Sequence, residues 1–460
     1  MRAVIVASNR EKSPYPVIPI GAVMVAELCS LHGHDIEFVD MCFSENPLND
    51  LQAALEKNPD FVAISFRNLN NHDGKNSVSY IPFLQSISTA VKEKGIPLYI
   101  GGSAASIEPQ AILNATGADA VYAGQAEGFV KRLTGGSKLE GVITDYQGEP
   151  FINVNLERWV NVKKYLSHEC TVPIRLKLGC SYKCSYCTYP YLEGKSVCSD
   201  QLDSLENYLR KWIGNGVGID IVDSIFNEPE EWAVQALETL AKKGLKGSYH
   251  ISAFSPLVSD TRIFDAMTKL GANAGMIGID SGSDTMLESY RKPFRMKQVN
   301  KFMEMRKDFD LRFLWTFILG GPGETEKTLN KSLEFIDMLP NTDVAYIVFG
   351  VRIYRQTHLY EQALRENVIK KGESILKPVC YFSRLLDRNK IEQHLSDWQE
   401  TRDNVLTEHV ANSDSYRDLL KKLSELGEFK TGWENVPTMK KLLRRRSALG
   451  MGKTETRTTV

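Results

Sequence analysis

Three cysteines, Cys180, Cys184 and Cys187, have the clearest chemical meaning in this chain. Their spacing brings three soft thiolate ligands into eight residues, which suits three corners of an iron–sulfur cluster. No cysteine stands at a nearby spacing to hold the fourth corner, so one iron is left free to bind and activate a small molecule. A structural zinc site would need a fourth ligand close by, and the nearest cysteine, Cys198, is eleven residues further on.

An apolar run at residues 172–178 precedes the cysteines and predicts a β-strand. The cysteine loop would then leave the carboxyl end of that strand, which is where α/β proteins place their ligands. The other five cysteines are scattered, so we expect them to be buried or incidental thiols and not a disulfide framework.

The cysteine spacing, with the aromatic Tyr186 directly before the last cysteine, resembles the signature of the radical S-adenosylmethionine (SAM) enzymes. The resemblance implies a 4Fe–4S cluster whose open iron holds the amino and carboxylate groups of SAM. It also implies cleavage of SAM to a 5′-deoxyadenosyl radical, with electrons from an external reductant of the flavodoxin or ferredoxin type. Tyr186 would cover the cluster or stack on the adenine.

Composition sets the limits within which this resemblance must fit. A chain of 460 residues suggests two or three domains, and 42% hydrophobic with 25% charged residues is ordinary for a globular protein. A formal net charge of −1 does not favour a nucleic-acid or membrane partner, and no apolar run is long enough to span a bilayer. The first residues predict a strand and not a signal peptide. Because cluster ligands must be reduced thiols, we expect a cytoplasmic protein.

Residues 1–140 alternate five short β-branched strands with helical periods, which predicts a doubly wound, Rossmann-like parallel sheet. Its ligand would lie at the carboxyl ends of the strands. No G-x-G-x-x-G follows the first strand, so dinucleotide binding is disfavoured. Gly101, Gly102 and Gly124 instead clear side chains from the middle of this edge, which suits a bulky ligand.

This N-terminal third resembles the cobalamin-binding domain of one large subclass of radical SAM enzymes. It lacks the D-x-H-x-x-G signature, so no histidine is placed to bind cobalt from below, and the loop 67–76 takes the comparable position. A guanidinium has no lone pair, so Arg67 would leave the cobalt weakly ligated, although Arg67 and Asn70 could instead only cap turns. His72 is a weak alternative ligand. The resemblance implies cobalamin contacts at Arg67, Asn68, Asn70, Gly101, Gly102, Ser103, Gly124 and Glu127.

Residues 141–172 are predicted to be a linker that begins with a short hairpin. From 173 to 352 the strand–helix alternation resumes with six units. The count predicts a β/α sheet, and the resemblance implies a partial (β/α)6 barrel with its site at the carboxyl mouth. Residues 353–460 are predicted to be helical, and the resemblance implies that this region closes over the mouth and selects substrate. The basic run 440–446 is expected to be a solvated face.

Three stretches at that mouth resemble segments that the family places around SAM. Asp223 and Asn227 would meet the methionyl amine. Asp280 would accept hydrogen bonds from the ribose, and Ser281 would contact the carboxylate. Gly320, in 318–325, would lie beside the adenine, although Glu324 is equally well explained as a helix-capping residue.

The segment 350–360 resembles a motif of cobalamin-dependent members, which implies that Arg352 and Tyr354 point into the cavity as catalytic contacts. The alternative is barrel packing for Tyr354 and a surface ion pair for Arg352.

The leading hypothesis is a cobalamin-dependent radical SAM methyltransferase that methylates a carbon, or a phosphinate phosphorus, of a small molecule after hydrogen abstraction. A second is an enzyme of the same build that forms or contracts a ring, oxidises, or transfers methyl by a polar route. A methylthiotransferase is disfavoured because only Cys29 and Cys42 lie in the N-terminal domain. A non-enzymatic cobalamin carrier would have no use for an open-cornered cluster. The substrate's identity is not readable from the sequence.

Overall fold

The computed structural model describes residues 1–12, 15–71, 77–146, 154–168, 170–199, 202–411 and 432–448, together with residues 416, 418 and 422. The predicted loop residue His72 lies outside these ranges. None of the helices described is long and apolar enough to cross a membrane.

The N-terminal part is a six-stranded parallel sheet covered by helices on both faces. Its strands are β1 (Arg2–Ala7), β2 (Asp35–Asp40), β3 (Phe61–Ser65), β4 (Leu98–Gly101), β5 (Ala120–Gly124) and β6 (Gly141–Asp145). The helices are α1 (Ile20–Leu31), α2 (Pro47–Leu55), α3 (Ile81–Lys92), α4 (Ser103–Ile107), α5 (Pro109–Thr116) and α6 (Ala126–Thr134). The strand order is β2-β1-β3-β4-β5-β6, which is the predicted doubly wound arrangement.

Strand β6 differs from the prediction. It was expected to form the first arm of a linker hairpin, but it pairs in parallel with β5 from Ala120↔Gly141 to Gly124↔Asp145. Most of the expected second arm lies outside the described residues. A strand of five residues carries no local signal for its partner, so only the folded sheet decides which edge it joins.

The second sheet has seven parallel strands and is open, with β7 and β17 at its edges. Its strands are β7 (Val172–Ile174), β10 (Ile219–Ile221), β11 (Tyr249–Phe254), β12 (Ala274–Asp280), β13 (Arg312–Leu319), β14 (Val344–Phe349) and β17 (Val405–Thr407). The order is β17-β14-β13-β12-β11-β10-β7. Six of these are the predicted strands. The seventh, β17, lies in the region expected to be helical, and it was not predicted because a three-residue strand is too short to show a period.

Two short antiparallel ribbons and a ring of helices complete this part. The ribbons are β8 (Lys177–Leu178) with β9 (Val197–Cys198), and β15 (Val351–Arg352) with β16 (Cys380–Tyr381). The linker helices are α7 (Leu156–Trp159) and α8 (Val162–Leu166). The others are α9 (Tyr189–Leu192), α10 (Glu206–Gly214), α11 (Glu230–Lys242), α12 (Arg262–Leu270), α13 (Asp284–Ser289), α14 (Met296–Arg306), α15 (Glu326–Asp337), α16 (His358–Arg365), α17 (Arg388–Glu400), α18 (Glu408–Ala411) and α19 (Val436–Ala448), with 3₁₀ turns at Leu202–Leu205 and Gly432–Asn435.

One apolar core joins the two sheets. Val23 of α1, Tyr165 of the linker and Trp315 of β13 are buried members of the same continuous cluster. A single core across both sheets resists their separation, because parting them would expose buried apolar surface.

The C-terminal region covers both ends of the second sheet. Trp433 and Val436 pack against Ala274 and Val344, which are the first residues of their strands. The α19 end of the chain therefore closes the amino-terminal end of the barrel, and the segment between β15 and β16 is the part that lies near the mouth. The C-terminal region was expected to lie only at the mouth, but its parts lie at both ends of the barrel.

Candidate functional site

The three cysteines lie on a loop whose base is closed by the β8–β9 ribbon. The amide of Cys187 donates to the carbonyl of Cys184 over 3.2 Å, and the amide of Cys180 donates to the carbonyl of Gly194 over 3.3 Å. Backbone hydrogen bonds therefore hold the loop at both ends and between its last two cysteines.

The three thiols are partly buried, so burial and neighbouring charges affect their pKa values. Burial raises the pKa of Cys180 and Cys184, and burial together with the other two thiols raises the pKa of Cys187 to about 12. In the part of the chain that the structure describes, no three His, Cys, Asp or Glu side chains converge closely enough to hold a metal ion. As a donor set, three neighbouring thiols suit a cluster, since binding iron replaces the protons that burial favours.

A buried ion pair lies beside this loop. The ammonium of Lys292 is 2.8 Å from the carboxylate of Asp280, and the hydroxyl of Tyr186 donates to the same carboxylate. Asp280 has a left-handed backbone (φ 70°) at the end of β12, where the register with β13 shifts. Burial opposes the charge on Lys292, but Asp280 and Cys184 more than offset it and raise its pKa. The carboxylate predicted to meet the ribose is thus already bonded to two side chains.

Asp223 keeps one free oxygen. One carboxylate oxygen accepts from the amides of Leu176 (2.8 Å) and Lys177 (3.1 Å), and the other is buried without a hydrogen-bond partner among the described residues. Burial raises the pKa of Asp223 to about 7, against the lowering effect of those amides. An amine placed here would find an acceptor for its N–H groups, and those hydrogen bonds would favour the ionised carboxylate.

Asn227, by contrast, is fully engaged with the protein. Its amide nitrogen donates to the carbonyl of Ser255 over 2.9 Å, and its oxygen accepts from the amide of Ser255 over 2.7 Å. This pair ties the loop after β10 to the loop after β11. Its predicted contact with the methionyl amine therefore stays a prediction.

The segment after β13 is built around a buried carboxylate. Glu324 accepts from the amide of Gly320, its second oxygen has no partner in the described chain, and burial raises its pKa to about 7. A Cβ at Gly321 would lie 2.1 Å from the hydroxyl of Tyr290, so glycine is required there. Ser281 is wholly buried and hydrogen-bonds Ser332 over 2.9 Å. The helix cap itself is Thr325, whose side chain accepts from the amide of Thr328, so Glu324 is not the capping residue.

A cavity of about 370 Å³ lies between the two sheets. Its walls include the carboxyl ends of β3, β4 and β5 on one side and residues next to the cysteine loop on the other. Pro173 and Val222 line it from the second sheet, and Tyr189 and Leu192 line it from α9. Gln125 donates to the carbonyl of Leu192 over 2.9 Å, which joins the two walls.

The predicted glycines do line this cavity, but a second reason requires them. A Cβ at Gly102 (φ 97°) would be 2.6 Å from the carbonyl oxygen of Phe66, and one at Gly124 would be 1.8 Å from that of Asp145. The close approach of neighbouring backbone excludes a side chain whether or not a ligand is bound.

Of the predicted loop residues, Arg67 is exposed and lines the cavity, and Ser103, also in the lining, donates to its carbonyl over 2.8 Å. Asn70 is buried, and its amide nitrogen donates to Ser77 over 3.4 Å. Asn68 and Glu127 are half-buried, Glu127 in the first turn of α6. Among the described residues, neither Asn68, Asn70 nor Glu127 belongs to the cavity lining.

The two predicted catalytic residues are placed elsewhere. Arg352 donates to the carbonyls of Ile375 (2.8 Å), Lys377 (3.1 Å) and Val379 (3.3 Å), so it holds the segment between β15 and β16. Tyr354 packs against the apolar core of the first sheet. Within the described chain, neither residue belongs to the cavity lining, so their catalytic role stays a prediction.

The structure adds three charged side chains that the sequence reasoning missed: Lys292, Arg175 and Glu193. Arg175 forms an ion pair with Glu193, and both line the cavity. The available signal was weak: a charge within an apolar strand run for Arg175, and an acid six residues after the last cysteine for Glu193.

Two family models match the chain. The model described as the B12 binding domain matches residues 8–134, and the model of the Radical SAM superfamily matches residues 174–336. The first range contains strands β2–β5 of the first sheet, and the second range contains β10–β13 of the second sheet.

Among curated proteins, an uncharacterized methyltransferase of Pyrococcus horikoshii is 22% identical over 380 residues, which is 76% of this chain and 79% of its own length. A tRNA-2-methylthio-N(6)-dimethylallyladenosine synthase of Buchnera aphidicola is 22% identical over 57% of this chain and 60% of its own. The hopanoid C-3 methylase of Methylococcus capsulatus is 22% identical over 60% and 55%. The chain spans less than two thirds of the latter two proteins.

Solved structures show the same fold. The radical SAM methyltransferase TsrM of Kitasatospora setae, with cobalamin and a [4Fe-4S] cluster bound, superposes with a TM-score of 0.82 at 16% identity, over 97% of this chain and 99% of that one. TsrM has also been solved with a tryptophan substrate and a SAM analogue. The cobalamin-dependent radical enzyme OxsB superposes with a TM-score of 0.66 at 13% identity, over 98% and 71%.

Proposed function

The chain belongs to the cobalamin-dependent radical SAM enzymes, and from this premise we propose that it is a methyltransferase acting on a small molecule. When bound, cobalamin would supply a methyl group for a carbon, or a phosphorus, of the substrate, and SAM would supply the 5′-deoxyadenosyl radical that removes a hydrogen atom from it. The bound cofactors supply this chemistry, and the protein supplies binding, alignment and exclusion of water.

The observation that carries the proposal is the cavity shared by the two sheets. Residues at the carboxyl edge of the first sheet and residues beside the cysteine loop line one continuous space. Group transfer between two cofactors requires a substrate that reaches both, and a shared cavity meets this requirement.

Each cofactor has residues suited to it. Cys180, Cys184 and Cys187 would hold the cluster. The free oxygen of Asp223 would accept the methionyl amine, and the loop that contains Gly320 would approach the adenine. Arg67, which lines the cavity from the first sheet, would face the cobalt from below.

The first test needs no knowledge of the substrate. The chain is purified anaerobically, reconstituted with iron, sulfide and hydroxocobalamin, reduced, and given SAM carrying a deuterated methyl group. We expect labelled methylcobalamin and S-adenosylhomocysteine. An iron–sulfur absorption band without corrinoid uptake would refute the proposal.

The finer steps are tested by the products made from candidate substrates. A product heavier by one methyl group, with equimolar 5′-deoxyadenosine and S-adenosylhomocysteine, supports the radical route. The same product without 5′-deoxyadenosine identifies polar methyl transfer. A product of unchanged carbon count identifies a non-methylating enzyme, and a product heavier by a methylthio group identifies a methylthiotransferase.

A further inference from the structure

We propose that Arg175 binds a carboxylate group of the substrate, so that the substrate is a small organic acid with a flat, apolar body. The inference rests on the proposed function, because it takes the shared cavity to be the place where the substrate lies.

Arg175 is placed on the cluster side of the cavity. It directly follows β7, in which Val172 and Ile174 belong to the core beneath the helices. Alternation along the strand therefore turns Pro173 and Arg175 to the opposite side, where both line the cavity. This wall faces the edge of the first sheet, where the cobalamin is expected.

The guanidinium has donors left over. One terminal nitrogen is paired with Glu193, and Nε is buried out of reach of a ligand. The other terminal nitrogen has no hydrogen-bond partner among the described residues, so it is the donor left for a ligand. Besides the ion pair, the carboxylate of Glu193 accepts two hydrogen bonds, from the amide of Gly179 over 3.1 Å and from the hydroxyl of Ser224. An arginine offers five N–H donors in a planar fork that matches a carboxylate, so a second acid could bind on its open side.

Charge in the cavity points to the same ligand. Among the described residues of the lining, Arg67, Arg175 and Glu193 are the charged ones. Arg175 and Glu193 pair with each other, so the excess positive charge of the lining is that of Arg67. When cofactor and substrate displace water from this space, that excess charge becomes costly, and a ligand with one negative charge balances the charge of the whole cavity.

The body of the ligand is suggested by Tyr189. This side chain is 47% exposed although it lines the cavity, and it lies two residues after Cys187. A half-exposed tyrosine in the same lining as Arg175 suits a molecule with an aromatic or unsaturated part as well as its acid group.

Cobalamin could compete for the same donors, because its side-chain amides and its phosphate are also acceptors. The test therefore measures both ligands on the reconstituted holoenzyme by equilibrium dialysis. The probes are phenylacetate, indole-3-acetate, cinnamate and L-tryptophan, each beside its primary amide. The variants are Arg175→Gln, Arg175→Lys and, as a control outside the cavity, Arg210→Gln.

We expect the native protein to bind at least one acid about tenfold or more tightly than its amide, as a charge-assisted pair should. Arg175→Gln should bring that ratio to about one with cobalamin affinity unchanged, Arg175→Lys should keep part of it, and Arg210→Gln should keep all of it. The proposal is overturned if no acid is preferred, if the preference survives in Arg175→Gln, or if only cobalamin affinity falls. Dialysis needs no turnover, so its failure is distinct from a failure to form labelled methylcobalamin. Iron content and circular dichroism establish that each variant is folded.

Discussion

One oxygen of Asp280, Oδ2, is contacted both by the ammonium of Lys292 at 2.8 Å and by the hydroxyl of Tyr186. Tyr186 lies between Cys184 and Cys187 in the sequence, so this carboxylate connects the end of β12 to the cysteine loop. The side chains of Lys292 and Asp280 are 7% and 3% exposed, which makes this a buried ion pair.

Lys292→Met should destabilise the protein, because it leaves Asp280 buried without its cation. We expect a loss of about 3 kcal/mol in the free energy of unfolding, measured by denaturant titration of the cofactor-free chain. Adding Asp280→Leu should restore most of the loss, since an apolar pair needs no compensation. Lys307→Met, at an exposed ion pair, should change little. Equal losses in the single and double variants would contradict this account.

Binding of SAM should release protons through Asp223. Its pKa of about 7 means that the buried carboxyl is about half protonated at pH 7, and N–H donors of the iron-bound amine would favour the ionised carboxylate and lower that pKa, so the direction is release. We expect this carboxyl to release about 0.5 proton per SAM at pH 7, in addition to the proton that the amine gives up to bind iron, and progressively less at higher pH, where the carboxyl is already ionised. Calorimetry of the cluster-loaded protein in buffers of different ionisation enthalpy measures this. Unchanged release in Asp223→Asn would exclude this carboxyl as the source.

Substitution of a cluster cysteine should abolish iron uptake. Cys184→Ala, reconstituted anaerobically, should lose the broad visible absorption and the bound iron, because two thiolates do not hold a three-ligand site. Cys198→Ala and Cys380→Ala are the matched controls and should keep both. A variant of Cys198 that lost the cluster would instead make it a fourth ligand.

Arg67 should determine the lower ligation of cobalt. In the native holoprotein, reduced by one electron, we expect a cobalt EPR spectrum without nitrogen superhyperfine splitting, because a guanidinium has no lone pair to donate. Arg67→His should introduce that splitting while cobalamin stays bound through gel filtration. A split spectrum in the native protein would mean that another residue binds the metal.

The ion pair between Arg355 and Glu108 should hold the segment over the mouth against the first sheet. Its atoms are 3.1 Å apart, Glu108 is 4% exposed, and Gln356 donates to the neighbouring carbonyl of Ile107 over 2.9 Å. Arg355→Met should speed amide hydrogen exchange in α4 and α16, because it leaves a buried carboxylate unpaired. Exchange in β12, far from the pair, is the internal reference. Equal protection of α4 and α16 in both proteins would contradict the role.

Much of the site was predictable because it depends on short spacings. Cys180, Cys184 and Cys187 lie within one loop, and the parallel sheet with glycines at its edge follows from strand periods and turn residues. Gly102 and Gly124 were predicted to contact cobalamin; they line the cavity, and the contact itself stays a prediction. The further reason for them, contact with the backbone of Phe66 and Asp145, requires the three-dimensional sheet.

Strand spacing by itself predicted the two α/β domains, which the structure confirms, and cysteine spacing predicted a thiolate site for iron and sulfur, which stays a prediction. The resemblance of the cysteine motif pointed to the radical SAM enzymes, in agreement with the two family models that match the chain. The pairing of β6 and β17, the ion pairs of Lys292 and Arg175, and the use of Arg352 to hold a loop were decided only by the tertiary structure. The physical reason is distance along the chain. A partner twelve or eighteen residues away, as Asp280 is from Lys292 and Glu193 from Arg175, is chosen by packing of whole elements, and no local period records that choice.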